Sequence, residues 1–254
     1  GRPMVNGKGE RRELRREDVN PQQSILSQRK DPDHYPELTH VGARFGAIRI
    51  YRDWGFGRCT APRQPQPADL PNDVLSEDYR NLGLVLNRLR RQPAVRDALT
   101  EKLRLLYPAV RDVDVAVEGG TVQVFLQEAR LSVPATRLSD GTLRWLCLLT
   151  ILLHPEPPPL VCLEEPEIGL HPDLLSSVAN LLREAASRMQ LVVTTHSDVL
   201  VDALTDTPEV VVVCEKEDAA TRCRRPDAKA LGVWLEKYTL GQLWRSGEIG
   251  GNRW

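Results

Sequence analysis

The sequence predicts an α/β fold: a mixed, mostly parallel sheet flanked by helices, with a small helical lobe attached. Three observations carry that reading. Leu160–Leu163 and Leu191–Thr195 are short, apolar and bounded, as fully buried strands are. Each ends on polar residues, Glu164 and Glu165 after the first and His196 after the second. A helix-like stretch separates them, so both strands run the same way and bring those residues to one carboxyl edge, where open α/β sheets bind their ligands.

The chain has 254 residues and a formal net charge of −1, so no global basic field points to nucleic acid or a membrane surface. Locally, Arg88, Arg90, Arg91, Arg96, Lys102, Arg104 and Arg111 crowd one segment with Asp97 and Glu101 opposing them; a solvated helix face is the ordinary meaning of such a run. The five cysteines show no paired metal-ligand spacing, and Cys147, Cys162 and Cys214 stand in apolar runs, as small core residues do. That usage suits a reducing cytosol. No run is long enough to span a bilayer and no signal-peptide pattern opens the chain, so a cytoplasmic protein without a membrane segment is expected.

Gly1–Asn20 is polar and basic, with Asn6-Gly7-Lys8-Gly9 reading as a turn between two short strands. This is not a phosphate-binding loop. That motif needs glycine, four residues, then Gly-Lys-Ser/Thr between a buried strand and a helix, whereas here Gly1 is one residue too far from Gly7 and Lys8 precedes Gly9. Phe45–Tyr51 alternates as a strand does. Pro62, Pro65, Pro67 and Pro71 mark Cys59–Asn72 as an extended linker. Leu82, Leu86 and Leu89 predict one helix; Pro93, Val95, Leu99, Leu103 and Leu106 predict a second, and no heptads extend them into a long coiled coil. Val113, Val115 and Val117 face Val122, Val124 and Leu126 across Glu118-Gly119-Gly120, a hairpin.

Leu138-Ser139-Asp140-Gly141-Thr142 precedes an apolar, buried helix over Leu143–Leu153. Ser139 or Asp140 can cap it, and Gly141 lets another group approach its free amides, an anion site by its own physics. The adjacent Glu164 and Glu165 at the tip of a buried strand are costly unless compensated, and a hydrated Mg²⁺ is their natural partner. Pro166–Pro172 is a loop ending at a candidate N-cap, His171. An amphipathic helix follows with Leu174, Leu175, Val178, Leu181 and Leu182. Glu209–Cys214 reads as one more buried strand, and the tail carries Trp234, Trp244 and Trp254 among glycines.

Taken together, L-S-D-G-T, L-E-E-P-E-I-G-L-H-P and T-T-H-S in this order resemble the back half of an ATP-binding-cassette-type ATPase, in the RecF/SMC-like group of AAA-type ATPases. The likeness covers nearly the whole sequence, its specific motifs lying within Leu138–Ser197. It implies a P-loop NTPase fold that uses ATP and Mg²⁺ and closes as a homodimer around two nucleotides, working on DNA or a partner protein. By resemblance, Glu165 is the catalytic base and His196 the switch histidine at the γ-phosphate, while Glu164 takes the metal side. Ser139, Asp140 and Gly141 form the signature that meets the partner's nucleotide. Gly169 and His171 lie on the dimer-face loop, and Gln28 or a neighbour is the relay glutamine. Asp140 and Thr142 depart from the family's L-S-G-G-Q; Asp140 is expected to turn back and cap the helix, leaving Ser139 and the amides to the nucleotide.

The resemblance divides the chain into 1–58, the rest of the nucleotide-holding lobe; 59–112, linker and helical lobe; and 113–254, the signature, Walker B and switch-histidine part with the tail. Gly-Lys-Ser/Thr is absent from the sequence, so these residues alone are expected not to hydrolyse ATP. Two alternatives stand beside this reading. One is a non-catalytic regulatory module that keeps the fold. The other is an ATP-coupled nuclease of the OLD type, which shares E-E-P-E but carries an acidic set that is not seen after Val213.

Overall fold

The computed structural model describes residues 4–5, 11–12 and 19–250. The turn at Asn6–Gly9 and Trp254 lie outside them; β1 (Met4–Val5) and β2 (Arg11–Arg12), either side of that turn, pair antiparallel. The elements that follow are α1 (Ile25–Gln28), α2 (Pro36–Gly46), β3 (Arg49–Tyr51), β4 (Gln66–Pro67), α3 (Leu82–Leu89), α4 (Pro93–Leu106), β5 (Asp112–Glu118), β6 (Thr121–Gln127) and β7 (Ser132–Pro134). Then come α5 (Asp140–Leu152), β8 (Leu160–Glu164), α6 (Leu175–Ala186), β9 (Gln190–Thr194), α7 (Asp198–Asp202), β10 (Val213–Glu217), β11 (Ala220–Arg224), α8 (Ala228–Leu235) and α9 (Leu240–Arg245).

β8 lies between β3 and β9, parallel to both, with Ile50, Cys162 and Val192 in one cross-strand row and Tyr51, Leu163 and Val193 in the next. Tyr51 and Leu163 are buried, whereas Ile50 is 39% and Val192 50% exposed. The expectation of strands buried on both faces is therefore corrected: among the described residues one face is covered and the other is open. An apolar run reads alike in either case, because the sequence of a strand does not say which layers cover it.

The second sheet is antiparallel. β5 and β6 form the expected hairpin with Val113 opposite Leu126 and Val117 opposite Val122, and β4 and β7 both pair with β6. Because β4 belongs to the proline-rich segment, that segment is packed, not a free linker: Pro62, Arg63 and Gln66 are buried. α3 lies on this sheet through Gly83, whose amide donates to the Gln66 side chain at 2.7 Å. α4 starts at Pro93, whose missing N–H would have no helical acceptor in any case.

α5 is the centre of the main core. Thr142 to Leu152 are all buried, and the helix touches α3, α4 and α6. Trp145 is fully buried and its indole N–H reaches the Lys102 carbonyl at 2.9 Å. The basic run predicted as a solvated face is largely neutralised inside the chain: Arg88 pairs with Glu156, Arg90 with Asp114 and Arg96 with Asp112, while Arg104 donates to the Val110 carbonyl.

Two further expectations are corrected. Phe45 and Gly46 end α2 rather than open a strand, since Pro36 in the first turn, with Glu37, and Arg44 in the last favour helix through Gly46. Glu209–Cys214 is not a buried core strand: Pro208–Val210 is a 3₁₀ turn, and β10 folds back on β11 through Asp218 and Ala219, both at positive φ. Val213 turns inward while Val210 and Val212 are exposed, and Cys214 is exposed with them; Cys147 is buried as expected and Cys162 half-buried. The tail has a packing role. Val213 joins Val201, Leu240, Leu243 and Ile249 in a small second core, with Trp244 against it. The Asp202 carboxylate fixes α9 there by accepting from Gly241 N–H and the Thr239 hydroxyl. Among the described residues no helix is long and apolar enough to cross a membrane.

Gly83→Ala tests the closeness of α3 to its sheet. A Cβ there would meet Val122 Cγ1 at 2.8 Å, so overpacking outweighs the gain in helix propensity. A net loss of about 1–2 kcal/mol is expected in denaturant unfolding.

Candidate functional site

The site grows from the carboxyl ends of β8 and β9. Beyond the last β8 residue the ladder continues for one more bond, Glu165 N–H to the Thr194 carbonyl at 2.9 Å. Glu165 then leaves the sheet with φ of 45°, a left-handed conformation that costs a non-glycine residue on the order of 1–3 kcal/mol. In that conformation its Oε1 lies 3.4 Å from His196 Nε2, with the carboxylate 29% exposed and the imidazole open. The two residues expected at one rim therefore meet.

Glu164, at the tip of β8, has its carbonyl held by the Trp54 indole N–H at 2.6 Å, while the side chain is exposed. A hard cation with a partial water shell fits such a carboxylate. Among the described residues no group of three or more His, Cys, Asp or Glu stands close enough to hold a metal ion.

Glu167 ties the two strand ends together. Its Oε1 accepts from the Thr195 hydroxyl and from the His196 backbone N–H, so the peptide that carries the imidazole is anchored to the loop that carries the glutamate. That loop turns through Gly169 at φ 75°, and His171 closes it, its Nδ1 accepting from Asp173 N–H at 3.3 Å.

The start of α5 faces the same loop. Ser139 is the N-cap, accepting from Thr142 N–H at 3.1 Å. Asp140 does not cap: its carboxylate pairs with Arg63, a correction to the expected backward turn. The reason is charge. Arg63 is nearly enclosed and donates to the carbonyls of Phe56, Ala135 and Leu138, and Asp140 is the carboxylate within reach of its remaining nitrogen. A Cβ on Gly141 would stand 3.1 Å from the Gly169 carbonyl, so the start of α5 and the loop after β8 lie close together. Beneath Gly169 lies the buried guanidinium of Arg144, donating to the Trp54 carbonyl at 2.7 Å and stacked over the Trp54 and Phe56 rings. Burial holds this arginine below its ordinary pKa. Gln28 sits in α1, bonded to Asn20, Gln23 and Ser24.

Sequence reading missed Trp54, Arg63, Arg144 and the role of Glu167. Arg144 left a signal, a cation inside an otherwise apolar helix, which must find partners when buried. Arg63 left none, because its carbonyl acceptors come from two segments, one of them more than 70 residues away.

The family described as "AAA domain, putative AbiEii toxin, Type IV TA system" matches residues 1–202. The chain belongs to this AAA-domain family. Among solved structures the domain is similar to an Smc head bound to the C-terminal winged-helix domain of ScpA, with TM-score 0.54 and 15% identity over 78% of this chain and 62% of that one. A head domain with coiled coil from Pyrococcus yayanosii matches at TM-score 0.44 and 19% identity, over 57% of this chain and 29% of the other. The AAA domain here thus has the Smc-head fold, a P-loop NTPase fold of the ATP-binding-cassette type, and spans less than two thirds of the length of either structure. No curated protein matches it in sequence.

Substitutions at two positions probe the site's construction. Glu165→Gly is expected to raise unfolding free energy by about 1 kcal/mol by relieving the positive φ, whereas Glu165→Ala is expected to give no gain. Arg63→Ala, which strips the donor from several buried carbonyls, is expected to cost roughly 2–4 kcal/mol in the same measurement, with Arg63→Lys recovering little of it.

Proposed function

We propose that this AAA domain forms part of an ATP-hydrolysing site in a dimer that sandwiches two nucleotides. The observation that carries the reading is Glu165 and His196 side by side on the ends of neighbouring parallel strands, with Glu164 open beside them. Glu165 takes the proton of the attacking water, and the His196 imidazole holds that carboxylate in line and donates toward the γ-phosphate. Glu164 would hold Mg²⁺ through water, the ion supplying charge neutralisation at the phosphate oxygens. Ser139 and the free amides at Asp140 and Gly141 offer the partner's nucleotide a helix N-terminus, and the Arg63 guanidinium offsets the Asp140 charge that would otherwise repel it. Gly169 and His171 lie on the dimer face.

The phosphate loop comes from a segment outside these residues. The open row of Ile50, Cys162 and Val192 supports this, since parallel sheets are covered on both faces and a helix following such a loop would lie there. The strained placement of Glu165 supports catalysis over a binding-only module, since such strain clusters at active sites. Opening of the dimer after hydrolysis would act on DNA or a partner protein.

In a form extended by a segment bearing Gly-Lys-Ser/Thr, turnover is expected to appear. Glu165→Gln in that form is expected to lower kcat by about 10²–10⁴-fold while an ATP-bound dimer persists in light scattering. Normal turnover in Glu165→Gln would sink the assignment of the base.

A further inference from the structure

We propose that Cys214 and Cys223 form a built dithiol site that is oxidised to an intramolecular disulfide by small-molecule disulfides. The two residues are direct partners across β10 and β11, both are exposed, and their sulfurs stand 3.5 Å apart. Register is fixed from both sides. The two-residue turn at Asp218 and Ala219, each at positive φ, is the tight hairpin kind that pins pairing, and the ion pairs Glu217–Arg222 and Glu215–Arg224 cross the hairpin. Counting from that turn, Glu217 and Ala220 are a hydrogen-bonded pair, so the alternation makes Cys214 and Cys223 a non-hydrogen-bonded one. Such pairs have Cα atoms about 4.5 Å apart, inside the roughly 4.4–6.8 Å range a disulfide spans, so side-chain rotation closes the bond without moving backbone.

The chemistry balances with the oxidant supplied. The thiolate of one cysteine attacks a small disulfide such as oxidised glutathione, releasing one reduced thiol and leaving a mixed disulfide. The second cysteine, already in contact, displaces the remaining glutathione thiolate. Two protein thiols lose two electrons to one glutathione disulfide, and their two protons end on the two glutathione thiols released. The closed bond would staple a hairpin whose root, Val213, packs in the second core against Val201 of α7, the helix that follows His196 by one residue. Nothing in this inference depends on the ATPase reading.

The full chain is treated with oxidised glutathione under native conditions and mapped by mass spectrometry after tryptic cleavage at Lys216 and Arg222, which separates the two cysteines. The expected product is the pair of peptides joined through Cys214 and Cys223. Of the three exposed cysteines, only Cys59 should then carry a glutathione adduct. Cys223→Ser should instead stop at a stable glutathione adduct on Cys214. Amide exchange across β10 and β11 is expected to slow at least tenfold on oxidation and to recover with dithiothreitol. Persistent glutathione on both cysteines of the unsubstituted chain, or bonds linking two chains, would overturn the proposal.

Discussion

The parallel pairing of β8 with β9 is the constraint on which the rest depends. It sets Leu163 beside Val193 and Glu164 beside Thr194, and its last bond, from Glu165 N–H to the Thr194 carbonyl, lies past the end of the strand itself. That bond fixes where the chain turns out of the sheet, and hence where a carboxylate and an imidazole meet. A slip of one residue in this register would send Glu165 and His196 to different rows and faces. The burial of Val161 and Leu163 in the core they share with α5 and α6 is what makes the register costly to change.

Around that pairing the molecule uses buried cations as internal braces. Arg63 gathers carbonyls from Phe56, Ala135 and Leu138 and ends on Asp140, while Arg144 joins α5 to Trp54, which in turn holds the Glu164 carbonyl. A guanidinium suits this work because its donors point in fixed directions and it stacks on aromatic rings. Both braces converge on the short segment between the two glutamates and the start of α5, so the parts of the site least supported by sheet hydrogen bonds are held by side chains.

How much of this was readable from sequence follows from how local each signal is. The strands that carry Glu165 and His196, the hairpin from Val113 to Leu126, the helix opening at Pro93 and the amphipathic stretch of α6 were legible, because apolar period and turn chemistry act over a few residues. Burial on one face of β8 was not, since Cys162 looks the same whether or not a layer lies over it. The packed state of Pro62–Gln66 was also hidden: its partners include Leu138 and β6, both distant in sequence. The Val210–Val213 run misled because four valines suggest a core strand, while the turn at Asp218–Ala219 decides that the segment is half of an exposed hairpin.

The approach of the Gly169 carbonyl to the start of α5 has a consequence for what residue 141 can be. A Cβ there would stand 3.1 Å from that carbonyl. Any larger side chain would have to push the Gly169 turn outward, and with it the loop that joins Glu165 to His171.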